Sequence, residues 1–340
     1  MSANTYLISA STRHQILIQR LARGYSKDVI PALKRMQREI KAALLGHDLT
    51  SFQTARLSAL MAEIKLITNA AAEEMTAVTI PNMQEFAVYE SQFTQKMLQG
   101  AVTIQLAGVN TTALAESIPL RRMTLVSGSK TTTTTMAGMF DTFAAGAARE
   151  VESAVVAGIT QGSTTKQIAD QVFSMVGSRT LAQAKTVVVT ATNQAGSIAR
   201  AELYKANADV LKGEEWVAVL DSATRIEHAA LDGNIYPIGE GPQTPLGYNC
   251  RCIRVPVVDD RFAALREGAT RASYQGPVAS TRTYGGWLRD QPKEFQVEVL
   301  GPERYKLFNS GGLSLDKFAD GQGRLYTLDE LRAREGMTLQ

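Results

Sequence analysis

Apolar residues recur at steps of three and four along the N-terminal third of the chain, which is the pattern of amphipathic helices. Over residues 17–44 this pattern predicts a helix or a helix pair, in which Pro31 marks a kink or a restart. A second helix is predicted from about Ser51 and a third from about Asn82. Together these segments predict a mainly helical N-terminal region over residues 1–127, arranged as a bundle or an array of helical hairpins.

Short polar stretches interrupt the helical pattern over residues 128–179, which we predict to hold a Thr-rich linker and helices. The run "SGSKTTTTTMAG" is either a flexible linker or the start of the Ala-rich helix that follows, capped by Ser129 or by a threonine. We favour the capping interpretation. Just before this run, "AVTIQLAGV" and "MTLVSG" predict short strands or extended connectors, and beyond the Ala-rich helix "GSTTKQIADQVF" predicts a capped short helix.

The period of the pattern changes in the second half of the chain. A long helix is predicted from about Thr180 to Asn207, because Ala, Gln and Lys surround its three consecutive valines. The runs "EEWVAVL", "NIYPI" and "CRCIRVPVV" are β-rich and predict a small antiparallel sheet packed on that helix. These elements predict an α+β fold, with a core domain over residues 180–258 and a folded, short-helical extension over residues 259–340.

Composition limits the classes of protein to which this chain can belong. Its 340 residues, 44% of them apolar, are enough for two or three folded units. A net charge of +3 is too balanced for a dedicated nucleic-acid binder, so any contact with DNA would be local. No apolar run is long enough to cross a bilayer and the start lacks the layout of a signal peptide, so we expect synthesis in the cytoplasm and no membrane span. One exposed basic face is predicted on a helix, at Lys34, Arg35, Arg38 and Lys41, where solvation is the ordinary role and contact with DNA or an acidic partner the alternative.

The chain has only two cysteines, Cys250 and Cys252, separated by Arg251. A bridge between them would close a small, strained ring, and no other cysteine is present, so a disulfide scaffold is excluded. In an extended segment both thiols would point to one side and Arg251 to the other. The thiols can therefore share a partner, or lie buried as small apolar groups.

The stretch around these cysteines is dense in side chains that carry chemistry. His228 and the two thiolates are of the right type for a tetrahedral zinc site, with Asp221 or Asp232 as the fourth ligand. A Cys–His nucleophilic pair is a further alternative, but the sequence does not distinguish which cysteine would serve. The candidate residues of this stretch are Trp216, Asp221, Arg225, His228, Asp232, Gly233, Pro245, Asn249, Cys250, Arg251 and Cys252.

The same polar residues also have an ordinary structural interpretation, which we favour. Asp221 would cap the segment after its strand, Asp232 and Gly233 would form a tight turn, and Asn249 would fix the loop before the cysteines. His228 would then be a buried, hydrogen-bonded histidine. Under this interpretation the stretch needs no metal and performs no catalysis.

The motifs of this stretch occur in a recognisable order, as "ARAELYKAN", a tryptophan, "LDSATRIEHAALDG", then a proline and a glycine leading to "NCRC". In this order they resemble the phage Mu F-like head morphogenesis or minor capsid proteins. The resemblance covers residues 180–258, extends in weaker form downstream, and is similar only in layout over the helical half. Asp221 and Arg225 match the motif, and we expect them to form a buried ion pair or a turn lock, with contact to DNA or a partner as the alternative.

The resemblance implies a virion protein that is present in few copies at the portal vertex of the phage head. Its partners would be the portal protein, the major capsid protein or the scaffold, with local contact to packaged DNA. It would act in head assembly or in the passage of DNA. Because the family is usually treated as non-enzymatic, the resemblance implies a structural protein. The alternative from the residues alone is a zinc-dependent enzyme acting on nucleic acid, with zinc held by His228, Cys250 and Cys252.

Overall fold

The computed structural model describes residues 3–128, 130–264, 269–309 and 312–334. Within these ranges the fold is α+β, as predicted, with long helices in the first part and small antiparallel sheets between and after them. The helices of the first part are α1 (Ala3–Tyr25), α2 (Ile30–Leu45), α3 (Thr54–Gln99), the short α4 (Thr111–Ser117), α5 (Met136–Thr160) and α6 (Thr165–Ala206).

Short elements make up the rest of the described chain. The strands are β1 (Met123–Ser127), β2 (Lys130–Thr134), β3 (Leu211–Val217), β4 (Ile235–Tyr236), β5 (Ile253–Val258), β6 (Thr270–Ser273) and β7 (Gly276–Ala279). The short helices are α7 (Ile226–Ala230), α8 (Tyr284–Arg289), α9 (Lys293–Leu300), α10 (Pro302–Asn309) and α11 (Leu328–Arg334), with single 3₁₀ turns at Ile118–Leu120 and Leu315–Phe318.

The helical pattern of the N-terminal region predicts the elements well and their ends less well. The restart at Pro31 is confirmed, because α1 ends at Tyr25 and Pro31 lies in the first turn of α2, where its missing N–H costs nothing. The predicted second and third helices form one helix, α3, of 46 residues. Pro81 lies inside it on an exposed face, where the carbonyl that proline leaves free can bond to water.

The long helix predicted from about Thr180 begins earlier, at Thr165, because it is continuous with the short helix predicted before it, and the two form the 42-residue helix α6. The predicted cap is present: Thr164 and Gln167 form a reciprocal capping box at the start of this helix. The helix continues through Gly177. The side chain of Gln37 of α2 lies beside this glycine and donates a hydrogen bond of 2.7 Å to the Phe173 carbonyl. A methyl group at Gly177 would collide with the Gln37 side chain. Close packing therefore explains why a glycine, which is unfavourable within a helix, occupies this position.

The threonine run forms a hairpin and then a cap. Strands β1 and β2 pair antiparallel, from Met123 opposite Thr134 to Ser127 opposite Lys130. Thr135 caps α5, accepting a hydrogen bond of 3.1 Å from the Gly138 amide. The capping interpretation holds for a threonine, and Ser129 lies outside the described residues. The segment "AVTIQLAGV" is not a strand, although Val102 makes one isolated β-bridge to Ala263.

Helices α2, α3, α5 and α6 pack as a bundle around a continuous apolar core. Met36, Ile40, Phe86 and Phe140 are among its fully buried side chains. Each such side chain contributes about 1.5–3 kcal/mol through removal of apolar surface from water. None of the helices in the described ranges combines the length and the apolarity that a bilayer span requires.

The predicted sheet is the three-stranded β4–β3–β5 sheet, which is antiparallel throughout. It packs on α6, as predicted, where Tyr204 is fully buried and its hydroxyl donates to the Arg254 carbonyl at 3.3 Å. Helix α1 covers β5 as well, and the Val258 amide donates to Oδ1 of Asn4 at 2.9 Å. The N-terminal helix is therefore part of the structure that supports the sheet.

A buried charge network ties three helices together at this junction. The Glu90 carboxylate of α3 is 1% exposed, contacts Nε2 of His14 of α1 at 2.6 Å and pairs with the Arg200 guanidinium of α6. The His14 ring also stacks on Phe93, with 3.5 Å between ring centroids. Burial alone would raise the pKa of Glu90, but Arg200 and His14 outweigh it, so that the pKa is lowered.

The C-terminal extension packs against the stretch that holds the cysteines. Tyr284, Trp287, Phe308 and Phe318 of the extension are buried in one cluster with Trp216 of β3. The predicted core domain and the extension therefore share a hydrophobic core.

Candidate functional site: a buried histidine–cysteine cluster

His228, Cys250 and Cys252 converge on one point. His228 lies on the single turn of α7, and the two cysteines lie in the segment that leads into β5, not on the strand itself. Nδ1 of His228 is 3.5 Å from Sγ of Cys250 and 3.7 Å from Sγ of Cys252. The three residues are 3–4% exposed, and both cysteines are free. The structure thus gives both thiols a common partner, as the extended-segment argument predicts.

Trp216 positions the histidine. Its indole Nε1 donates to the His228 carbonyl at 3.0 Å, and its ring meets the imidazole edge-on at an interplanar angle of 88°. After α7, Gly233 has φ +88° and its amide donates to the Trp216 carbonyl at 2.9 Å. The Asp-Gly turn is therefore present as predicted, and it returns the chain to pair β4 with β3.

Asn249 fixes the loop before the cysteines, in the role predicted for it. It adopts φ +58°, a left-handed conformation that Asn accepts more readily than most residues. Its amide donates to Oγ1 of Thr190 and its side chain to Oγ1 of Thr186, both at 3.1 Å, so the loop is tied to α6. Pro245, earlier in the same loop, follows a cis peptide bond from Thr244.

Asp221 forms an ion pair, but not with the residue that the motif suggests. Its carboxylate accepts two hydrogen bonds from Arg251, at 2.5 and 2.9 Å, whereas Arg225 donates to the Tyr248 carbonyl at 2.8 Å. The predicted Asp221–Arg225 pair was therefore wrong. The turn-lock role is present, because Asp221 also accepts from the Ala223 amide at 3.1 Å. The Arg251 guanidinium reaches Asp221 and, like the thiols, lies beside the cavity described below.

Asp232 is buried, and its carboxylate connects several segments of the chain. Its carboxylate accepts from the amides of Ala218 and Tyr284, each at 2.7 Å, and forms a bidentate pair with Arg271 of β6. The side chains of Asp232 and Arg271 are 1% and 4% exposed. Sequence reasoning identified Asp232 but missed Arg271 and Tyr284, which follow 39 and 52 residues later and carry no local signal.

Neither acidic residue joins the cluster. Within the described chain, the group of ligand atoms that all lie within 4.8 Å of one another contains only His228 and the two cysteines. Asp221 and Asp232 are each engaged by an arginine, so the fourth ligand expected from one of them is not provided. Among the described residues, the cluster also includes no carboxylate that could accept a proton from a bound water.

The two thiols differ in their electrostatic surroundings. Burial opposes ionisation of Cys250, but hydrogen bonding to Cys252 and the charge of His228 outweigh it, so that the pKa of Cys250 lies well below its ordinary value. The hydrogen bond to Cys250, together with burial, raises the pKa of Cys252 well above the ordinary value. The geometry thus favours one thiolate, stabilised by a neighbouring thiol and an imidazole.

A cavity of about 450 Å³ borders the cluster. The three cluster residues lie on its wall together with Arg23, Arg225 and Arg251. Since Asp221 neutralises only Arg251, the cavity is positively charged, which suits water or a small anion.

Comparison with known proteins places this site within a defined segment. Residues 149–255 match the family model "Phage Mu protein F like protein". An uncharacterised protein of Haemophilus influenzae is 30% identical over 124 residues, which are 33% of this chain and 25% of that protein, so the chain covers a quarter of the length of this curated relative. No solved structure matches.

The matched segment contains the end of α5, all of α6 and the cluster with the turns that position it. It begins earlier than the core domain predicted from the motifs, and the family resemblance seen in those motifs is confirmed. Over residues 149–255 this chain is similar to the Phage Mu protein F-like family, whose model it matches there.

Proposed function

We propose that the protein is a minor capsid or head morphogenesis protein of a bacteriophage, located at the portal vertex of the virion. It would act in head assembly and in the packaging or ejection of DNA, and would be made in the cytoplasm of the bacterial host. The observation that carries the proposal is the Mu F-like match over residues 149–255, which contains His228, Cys250 and Cys252.

The way in which the matched segment is built into the molecule supports an adaptor role. Helix α1 lies against β5, and the buried Glu90 carboxylate holds α1, α3 and α6 in one arrangement. Helices of 46 and 42 residues extend for about 60–70 Å at 1.5 Å per residue. Two long packed helices suit a protein that connects two larger assemblies.

The charges on the basic face of α2 support protein partners more than DNA. On the basic face predicted for α2, Arg35 pairs with Glu74 at 2.9 Å and Lys41 with Asp170 at 2.6 Å. Lys34 and Arg38 are exposed and have no ion-pair partner in the described part of the chain. Two unpaired charges give only a weak, local contact with phosphates, so we assign portal, major capsid protein or scaffold as the main partners and packaged DNA as a minor one.

A zinc-dependent enzyme acting on nucleic acid is the alternative. The cluster borders a positively charged cavity, which favours it, but no carboxylate of the described chain lies within the cluster to activate a water. We therefore assign a non-enzymatic role. A nuclease assay with added Zn²⁺ on single- and double-stranded DNA tests this point, and cleavage that is lost in Cys250→Ser would restore the enzymatic alternative.

The test of the main proposal is assembly. The full chain is co-expressed with the portal protein of the same phage, with and without its major capsid protein and scaffold, and the particles are separated by sedimentation. We expect the chain to sediment with portal rings and to be present in few copies per particle. Failure to associate with portal, shell or scaffold would contradict the proposal.

Salt distinguishes specific association from charge attraction. A complex held by apolar and hydrogen-bonded contacts should persist when the salt concentration is raised several-fold, whereas a contact through exposed charges should be lost. The variant Lys34→Glu/Arg38→Glu is the matched control. It reverses the two unpaired charges of α2 without altering the core. We expect this variant to sediment with portal rings like the wild type but to bind DNA more weakly.

A further inference from the structure

The distances within the cluster are those that a tetrahedral metal ion imposes on its ligands. With Zn–S of about 2.3 Å and Zn–N of about 2.0–2.1 Å, tetrahedral angles separate sulfur from nitrogen by about 3.5–3.6 Å. The observed separations from Nδ1 of His228 are 3.5 Å to Cys250 and 3.7 Å to Cys252. All three ligand atoms lie within 4.8 Å of one another. The three ligand atoms are thus close enough together for one ion to contact them all.

The histidine lies on α7 and the two cysteines on the segment before β5, and separate contacts hold each ligand in place. The Trp216 indole fixes the carbonyl of His228. The Cys250 amide donates to the Gly247 carbonyl at 3.1 Å, in a loop that Asn249 ties to α6. Cys252 directly precedes Ile253, which pairs with Val217 of β3. A site organised in this way before binding loses little entropy when the ion enters.

We propose that His228, Cys250 and Cys252 bind one Zn²⁺ ion, with the fourth coordination position open to the arginine-lined cavity. Two thiolates and an imidazole select a borderline-soft ion such as Zn²⁺ over Mg²⁺ or Ca²⁺, which prefer oxygen ligands. No fourth protein ligand joins the cluster within the described ranges, so water or a small anion completes the coordination. Arg23, Arg225 and Arg251 on the cavity wall favour an anion there.

The ion would cross-link the turn after β3 to the start of β5. This role is independent of the portal assignment, because it follows from ligand geometry alone. It also explains why the chain uses its two cysteines one residue apart: that spacing presents both sulfurs to one side of an extended segment.

Elemental analysis tests the proposal. The untagged full-length chain is expressed with zinc in the medium and purified under reducing conditions without chelator. We expect about one zinc ion per chain in the wild type and loss of the zinc in Cys250→Ser, Cys252→Ser and His228→Gln. The matched control is His47→Gln, which replaces the partly exposed histidine beside Glu63 at 3.4 Å and should retain the metal. A wild type without zinc, or ligand variants that retain it, would overturn the proposal.

Cobalt replaces zinc as a spectroscopic probe if the ligand variants do not fold. Wild-type protein grown with Co²⁺ should show the visible bands of tetrahedral cobalt and a thiolate charge-transfer band in the near ultraviolet. Inorganic phosphate or azide should change the visible bands if the fourth position is open. Absence of cobalt bands would exclude the site, and bands that neither anion alters would exclude the open position.

Discussion

The indole Nε1 of Trp216 donates a hydrogen bond of 3.0 Å to the backbone carbonyl of His228. This contact joins the buried strand β3 to the one-turn helix that carries the histidine of the cluster. Trp216 is 0% exposed and His228 is 3% exposed, so bulk water cannot readily replace the indole as the donor to this carbonyl. The tryptophan of the motif therefore holds the histidine in place, in addition to filling the core.

Trp216→Phe should destabilise the protein by about 2–4 kcal/mol, because it leaves a small cavity and an unsatisfied buried carbonyl. The control is Trp287→Phe in the same hydrophobic cluster, since the Trp287 indole has no hydrogen-bond partner in the described part of the chain. It should cost about 1–2 kcal/mol less, because only the cavity contributes. Urea denaturation followed by circular dichroism measures both. Equal losses would show that the hydrogen bond contributes nothing.

Asp232→Asn should be among the most destabilising single substitutions in the Mu F-like segment. It leaves the Arg271 guanidinium buried without its counter-ion, for which a loss of about 3–5 kcal/mol is expected. The control is Asp221→Asn, whose side chain is 21% exposed and whose partner Arg251 can reach water. That change should cost about 1 kcal/mol. Chemical denaturation measures the free energy of unfolding of both variants. A larger loss in Asp221→Asn than in Asp232→Asn would contradict the structural role assigned to Asp232.

Glu90→Gln should weaken the junction between the N-terminal helices and the Mu F-like segment. The substitution keeps the shape of the side chain but leaves Arg200 buried and unpaired, at an expected cost of about 3–5 kcal/mol. Glu74→Gln removes the exposed pair with Arg35 and should cost less than about 1 kcal/mol. Limited proteolysis checks the position of the effect, because the variant should be cut first between α1 and α2. Cleavage that begins instead in the C-terminal extension would argue against this junction.

Local patterns in the sequence predict the helices, the β4–β3–β5 sheet and its packing on a long helix. They also predict the cluster itself, because His228, Cys250 and Cys252 lie within 25 residues of one another along the chain. The ends of helices were harder to predict. Pro81 and the polar stretch before Thr180 look like interruptions, but exposure of the proline and close packing at Gly177 let both helices continue.

Long-range partners could not be predicted from the pattern. Glu90 contacts His14 and Arg200, which lie 76 and 110 residues from it along the chain. Asp232 contacts Arg271, which lies 39 residues from it. A single charged residue on an otherwise apolar helix face gives no indication of which opposite charge it will meet. The error over the partner of Asp221, predicted as Arg225 and observed as Arg251, has the same cause. The sequence does not show which of two arginines near one turn will reach the carboxylate until the loop conformation is known.

Glu215 should make the stability of the protein depend on pH. It lies on β3 opposite Val255, where burial and the negative charge of Asp232 raise its pKa to about 7, against the opposing effect of Arg271. In the unfolded chain a Glu has a pKa of about 4.3. Between these values the folded protein binds more protons than the unfolded chain, so the stability contributed by Glu215 is lost as the pH rises through this range.

Glu215→Gln should therefore be more stable than the wild type at pH 8, by roughly 1–3 kcal/mol after allowance for partial exposure, and about equal to it at pH 4. The exposed Glu294→Gln changes the net charge equally and should follow the wild-type pH dependence. Denaturation curves collected from pH 4 to pH 8 measure the effect, and a Glu215→Gln variant whose stability falls as steeply as that of the wild type would assign the slope to another group.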